Sequence, residues 1–431
     1  MSTIIRFVVA FLMSLSIVMT IKPSDANGWY FSEPADFTHV IFVGDSLTAG
    51  YQSGGLCEYD QINGYAAQLA RQAEFDITLP LVRYPGIPPK LVLDRETLEI
   101  KRLDGFGERI DFSQQVTNLA VPGQKVNDAL RKRPSEITTF PPPIDVLLAN
   151  TVLLGPDLFE GRILSQVEWA EVLNPTFIFL WIGNNDVLQF ATSGGTEPIT
   201  PFKDFKTDYL EMIDRLENTG ADIVVANIPD VTSIPFFTSA EEIADQVGVD
   251  LTVIGPILGI RSGDFVTLEG LPLIEQILAD PLNGPLSDEY VFDALEFEAA
   301  QDAVSKANKF IAQEALLRNI PLVNINLLFK FVEILGVPAN GKRLTTDFLG
   351  GLFSLDGVHP TNTGYAVVAN HFIRTLNRHY RARIPWINIS EVAKKDPLVI
   401  PELLPDMDEF LKKRHKFEAG DPIRSFTGLP E

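Results

Sequence analysis

The apolar run Val40–Val43 stops at Gly44-Asp45-Ser46 and delivers a lone hydroxyl to a turn. Three other stretches end on residues of chemical use. "NLAVPG" closes on Gly123, whose missing side chain allows close backbone approach and exposes an N–H. "FIFLWIGNND" runs into Gly183-Asn184-Asn185-Asp186, and "DGVHP" sets Asp356 three residues before His359, with Pro360 suited to a helix start. A serine hydroxyl is a weak nucleophile until an imidazole accepts its proton, and the imidazole needs a carboxylate to hold its tautomer and stabilise its cation. Ser46, His359 and Asp356 are the candidates for those roles. A tetrahedral intermediate also needs donors aimed at its oxyanion, and losing one costs about 3 kcal/mol. The N–H groups of Ser46 and Gly123 and the side-chain amide of Asn185 can supply them. These types suit cleavage of an ester bond.

Each candidate also has an ordinary structural reading. Ser46 could cap a helix, Gly123 could serve a turn, and Asn185 could stabilise its own loop. His359 could be a surface histidine, the reading given to the other four (His39, His371, His379, His415), of which only His39, after Asp36, also has an aspartate three residues upstream. Asp186 is read as ordering the Asn185 loop, with no catalytic role.

Apolar runs alternate with amphipathic stretches, the pattern of a parallel sheet with crossover helices. Strands are expected at 38–44, 116–121, 176–182, 222–227 and 321–326, and helices at 63–73, 161–173, 202–218, 293–318 and 362–379. The expected fold is α/β, five parallel strands with helices on both faces. In such sheets functional groups collect at the carboxyl ends of the strands, where the first three stretches above fall.

The chain has 431 residues, 45% hydrophobic and 21% charged, enough for a large core. A formal net charge of -22 repels nucleic acid and anionic bilayers and leaves neutral or cationic substrates. Cys57 is the only cysteine, which excludes an intrachain disulfide framework and a multi-cysteine metal site. Arg6, the apolar stretch 7–21 and Ser24-Asp25-Ala26 read as a signal peptide over residues 1–26, too short in its apolar part for a retained span. Export is the expectation, to the periplasm or the medium if the source is bacterial. "GVPANGKR" (336–343) has P-loop glycine and lysine spacing, yet Arg343 stands where a Ser or Thr would bind Mg²⁺. No HExxH occurs and no serine is flanked by glycines two before and two after. No metal or cofactor is expected.

"GDSL" (44–47), "NLAVPG" (118–123), "GNND" (183–186) and "DGVHP" (356–360) resemble, in order, the four blocks of the SGNH/GDSL hydrolases. The resemblance spans residues 38 to about 380. It implies a flavodoxin-like three-layer α/β/α sandwich and cofactor-free hydrolysis of carboxylic esters or thioesters. Ser46 would be the nucleophile, Gly123 and Asn185 would complete the oxyanion hole, and Asp356 with His359 would finish the triad.

The hydrolase domain is expected over 27–385, with insertions at about 76–115 and 232–292 and a tail at 386–431 that wraps over the domain or stays mobile. The alternation in "KLVLDRETLEIKRL" suggests a hairpin in the first insertion. The second is apolar and rich in Gly and Pro, so Phe236, Phe237, Ile254, Ile257, Leu258 and Ile260 are candidates to line an acyl site beneath a lid. A subdomain that merely packs on the sheet is the equal alternative. The expected activity is that of an exported acylhydrolase acting on lipid or small neutral esters. A carbohydrate O-deacetylase and an inactive binding protein on the same scaffold are the rivals. Nothing in the sequence bears on oligomeric state.

Overall fold

Strand β1 (Val40–Gly44) is buried along its whole length, as an apolar run without polar alternation requires. The computed structural model describes residues 34–404 apart from 98 and 157–160. The expected signal peptide and residues 405–431 of the expected tail lie outside the described residues. After β1 come α1 (Ser46–Ala49), α2 (Tyr65–Ala73), β2 (Leu91–Leu93), β3 (Ile100–Arg102), α3 (Val126–Arg131), α4 (Gln166–Leu173) and β4 (Phe177–Trp181). Then follow α5 (Asn185–Thr192), α6 (Phe202–Glu217), β5 (Asp222–Ala226), β6 (Phe237–Ser239), α7 (Ala240–Val247), α8 (Leu251–Leu258), β7 (Phe265–Thr267), α9 (Leu271–Ala279) and β8 (Val291–Phe292). The chain returns through α10 (Ala294–Leu317), β9 (Leu322–Val323), α11 (Ile325–Leu335), α12 (Asn362–Tyr380) and α13 (Ile389–Ala393).

The central sheet is parallel, in the order β1-β4-β5-β9. Side chains alternate between its faces, and the odd positions of β4 turn an aromatic surface toward α2 and α12. Phe42 stacks on Phe179 at 4.6 Å, Trp181 lies 5.3 Å from Tyr65, and Tyr65 stacks on Phe372 at 4.7 Å. Helices α3, α4, α6 and α10 pack against one another as the opposite layer. The result is a flavodoxin-like α/β/α sandwich.

Two expected strands come out differently. Segment 116–121 runs beside β1, with Phe42 N–H donating to Thr117 O at 2.9 Å and Leu119 N–H to Phe42 O at 2.9 Å, yet it closes only one parallel bridge, at Asn118. Val121 N–H still reaches Gly44 O at 3.2 Å, but the Thr117 N–H turns to Thr78 O and the Gly44 N–H to a side chain, so no second bridge closes. The sheet thus has four strands rather than five. At 321–326 the strand is cut to Leu322–Val323 because Asn324 caps α11, its Oδ1 accepting from Leu327 N–H at 3.0 Å.

The first insertion contains the β2–β3 hairpin, paired from Leu91–Arg102 to Leu93–Ile100. The second is a small unit of its own, in which β6, β7 and β8 form an antiparallel sheet and α7, α8 and α9 pack together. Ile254, Leu258 and Ile260 are buried in that unit's separate core, and Ile257 packs against it. In this packing the four residues hold the unit together. Phe236 and Phe237 belong to the main core instead, with Phe237 stacked 5.2 Å from Phe292. Leu258→Ala should cost about 2 to 5 kcal/mol of stability in urea unfolding while leaving the acyl-chain preference of the folded protein unchanged. A changed preference would return Leu258 to the substrate site.

Candidate active site

Asp356 sits in the turn ahead of α12 and is bonded on both oxygens. Oδ1 accepts from the Val358 N–H at 2.9 Å, the His359 N–H at 2.8 Å and Ser354 Oγ at 3.2 Å. Oδ2 accepts from the Gly54 N–H at 2.7 Å and pairs with His359 Nδ1 at 2.9 Å. Burial alone would push this carboxyl up, but the His359 charge and the bonds from His359 and Val358 outweigh it and hold Asp356 at about 2. An ionised carboxylate only accepts, so Nδ1 carries a proton toward it, and in the neutral ring the lone pair is on Nε2. Nε2 is buried and has no hydrogen-bond partner among the described residues. The Tyr51 ring lies 4.7 Å from the imidazole and limits its swing.

Ser46 is the first residue of α1 and is not its cap. Asp45 takes that role, accepting from the Leu47 N–H through Oδ1 at 3.1 Å and from Asn184 Nδ2 through Oδ2 at 2.7 Å. Burial pushes Asp45 up to about 7 against the pull of Asn184, Leu47 and the nearby His359 charge. Tyr51, whose ring faces His359, donates its N–H to Ser46 O at 3.0 Å, so Ser46 and His359 share one neighbourhood, and both are almost fully buried.

Gly123 has φ of +80°, a conformation that L side chains rarely adopt, and nothing lies within 4 Å of where a Cβ would stand. Its carbonyl accepts from Gln189 Nε2 at 3.0 Å. Asn185 opens α5 and spends one amide hydrogen on Gln124 O at 3.0 Å, keeping a second. Asp186, pushed up by burial to about 6, takes the Val126 N–H at 3.0 Å and so pins the start of α3 to the Asn185 loop.

Sequence reasoning assigned no role to Asp45, Asn184 or Gly54, although the first two lie inside the quoted motifs. Asn388 caps α13, its Oδ1 accepting from the Glu391 N–H at 3.2 Å. Among the described residues no group of three or more His, Cys, Asp or Glu could hold a metal ion, and no helix is long and apolar enough to cross a membrane.

The family model of GDSL-like lipase/acylhydrolase matches residues 40–372. The chain belongs to this GDSL family. Solved structures it resembles include a psychrotrophic esterase from Pseudoalteromonas sp., at 14% identity and a TM-score of 0.33, covering 80% of this chain and 98% of that one. The lipase/acylhydrolase from Enterococcus faecalis matches at 11% identity and a TM-score of 0.34, covering 81% and 100%. An acetyl xylan esterase, AlAXEase, matches at 13% identity and 0.32, covering 78% and 98%. No curated protein matches by sequence.

The Asp356 environment sets a pH dependence for this GDSL protein. Its native pKa lies below the ordinary 3.8, so its contribution to stability is complete above that value and is lost as pH falls toward 2. Asp356→Asn should lower stability by about 2 kcal/mol at pH 7. Denaturant melts of the two proteins should converge as the pH drops from 4 to about 2; a gap that stays constant would contradict this.

Proposed function

We propose that the protein is an exported serine esterase that cleaves neutral carboxylic esters through an acyl-enzyme on Ser46. The observation that carries this reading is the state of His359, with Nδ1 held on the Asp356 carboxylate and Nε2 buried without a partner. In this reading Nε2 takes the Ser46 Oγ proton as Oγ bonds to the substrate carbonyl carbon, and the carbonyl electron pair moves onto its oxygen. The Ser46 and Gly123 N–H groups and the second Asn185 amide hydrogen stabilise that oxyanion. Collapse breaks the bond to the alcohol oxygen, which leaves with the proton held on Nε2. Water then repeats the sequence on the acyl-enzyme, with His359 again as base, and releases the acid. Asp356 stays ionised throughout and stabilises the imidazolium.

The net charge of -22 favours neutral esters over anionic ones and disfavours nucleic acid as a partner. Arg6, the apolar stretch behind it and Ser24-Asp25-Ala26 support export. Cofactor-free chemistry suffices for every step.

Ser46→Ala should abolish both turnover of p-nitrophenyl esters and labelling by a fluorophosphonate, with an unchanged circular dichroism spectrum. Retained turnover would rule out Ser46 as the nucleophile. Asn185→Ala should lower kcat by roughly 10²- to 10³-fold with little change in KM, since the donor acts mainly in the transition state. An effect on KM alone would assign Asn185 to substrate binding instead.

A further inference from the structure

We propose that Gln166 is a positioning residue of this site, tying the Ser46 turn to the donor loop of Gly123 and Asn185. The proposal rests on the reading of Ser46 as nucleophile. Gln166 lies outside all four motifs, at the first position of α4, and is completely buried. Ser165 sets it there as the helix cap, with its Oγ on Leu130 O at 2.8 Å and its N–H on Glu168 Oε2 at 2.8 Å.

The reason for a glutamine lies at the end of β1. Phe42 N–H bonds to Thr117 O, so a regular ladder would give the Gly44 N–H the Leu119 carbonyl. Segment 116–121 still reaches Gly44, Val121 N–H donating to Gly44 O at 3.2 Å, but the Gly44 N–H donates instead to Gln166 Oε1 at 3.0 Å. Gln166 Nε2 donates back to Gly44 O at 2.9 Å. The side-chain amide thus stands in for the Leu119 carbonyl and adds a second donor to Gly44 O. The pairing also fixes the amide's orientation, because Oε1 cannot face a carbonyl and Nε2 cannot face an N–H.

The second Nε2 hydrogen goes to Gln124 Oε1 at 2.6 Å, and Gln124 O accepts from Asn185 Nδ2 at 3.0 Å. Gly44, two residues before the nucleophile, and Asn185, a proposed oxyanion donor, are therefore joined through Gln166 and Gln124 by an unbroken chain of buried hydrogen bonds. Gln166 touches no reacting atom. It fixes the distance between the attacking group and the donors that stabilise what the attack produces.

The test uses Gln166→Glu, which keeps the acceptor for the Gly44 N–H and turns the donor into an oxygen facing Gly44 O and Gln124 Oε1, together with Gln166→Met, which removes both functions at similar volume. Fluorophosphonate labelling separates two quantities: its final amplitude counts folded sites, and its rate constant reports their geometry. The labelling rate constant and kcat should fall together by roughly 10- to 10²-fold, with KM of a short ester nearly unchanged. In Gln166→Glu the loss relative to wild type should shrink as pH falls, because protonating the introduced carboxyl restores a donor toward Gly44 O. Wild-type rate constants in both variants, with only the amplitude or the melting temperature reduced, would make Gln166 a packing residue and overturn the proposal. Absence of labelling in the wild type would instead sink the reading of Ser46, and this proposal with it.

Discussion

No side chain fits at position 44. A Cβ there would stand 2.5 Å from Thr48 Oγ1 and 2.6 Å from the Trp181 carbonyl, so β1 and β4 end pressed together with α1 folded back over the junction. Thr48 is held there by its hydroxyl against Tyr65 OH at 3.0 Å. The close approach brings the two loops leaving these strands within hydrogen-bond reach, so that Asn184 closes on Asp45 at 2.7 Å. Ser46 and Asn185, the residues following those partners, are carried into the same space. A strand end that admitted even a methyl group would separate the nucleophile from its donor.

A strongly acidic chain concentrates carboxyls where one imidazole must stay available, and their environments keep them distinct. Asp356 faces His359 and accepts several donors, so its charge persists at all ordinary pH. Asp45 and Asp186 are buried with fewer compensating bonds and are pushed up to about 7 and about 6. The Asp45 bonds to Leu47 and Asn184 favour the ionised form while burial opposes it, and the two nearly balance around neutrality. The permanent charge therefore sits on the carboxylate that touches the ring, where it orients Nδ1 without occupying Nε2.

Chemical types were legible in the sequence and placements were only partly so. The runs forming β1, β4 and β5 and the helices α2, α6, α10 and α12 stand close to where apolar periodicity put them, since each buries a continuous face. Segment 116–121 has the composition of a strand but yields its ladder to side-chain and loop bonds that no window of local residues contains. Ile254 and Leu258 show the same limit: apolar character says that a residue will be buried, and only tertiary structure says in which core. Gln166 carried no sign at all, because one glutamine on an amphipathic helix reads as surface until the Gly44 N–H is known to lack a strand carbonyl.

The acid–base turn illustrates why such placement cannot be local. From one side, Gly54 donates to Asp356 Oδ2 while Ser53 N–H meets Ser354 Oγ at 2.9 Å. Behind it, Ser354 N–H returns to His359 O at 2.8 Å and Thr361 N–H to Leu352 O at 3.0 Å. From the C-terminal segment, the buried Asp396 accepts both the N–H and the hydroxyl of Thr363 at 2.8 Å each, fixing the first turn of α12. Two segments, one 302 residues before Asp356 and one 33 residues after Thr363, thus hold a five-residue motif together with its immediate flanks. The imidazole is therefore in place only when its own 352–361 turn, the 51–55 loop and the packed part of the C-terminal segment are all formed. Its geometry is a property of the whole fold, and loosening any one of the three should displace the ring before the sheet itself gives way.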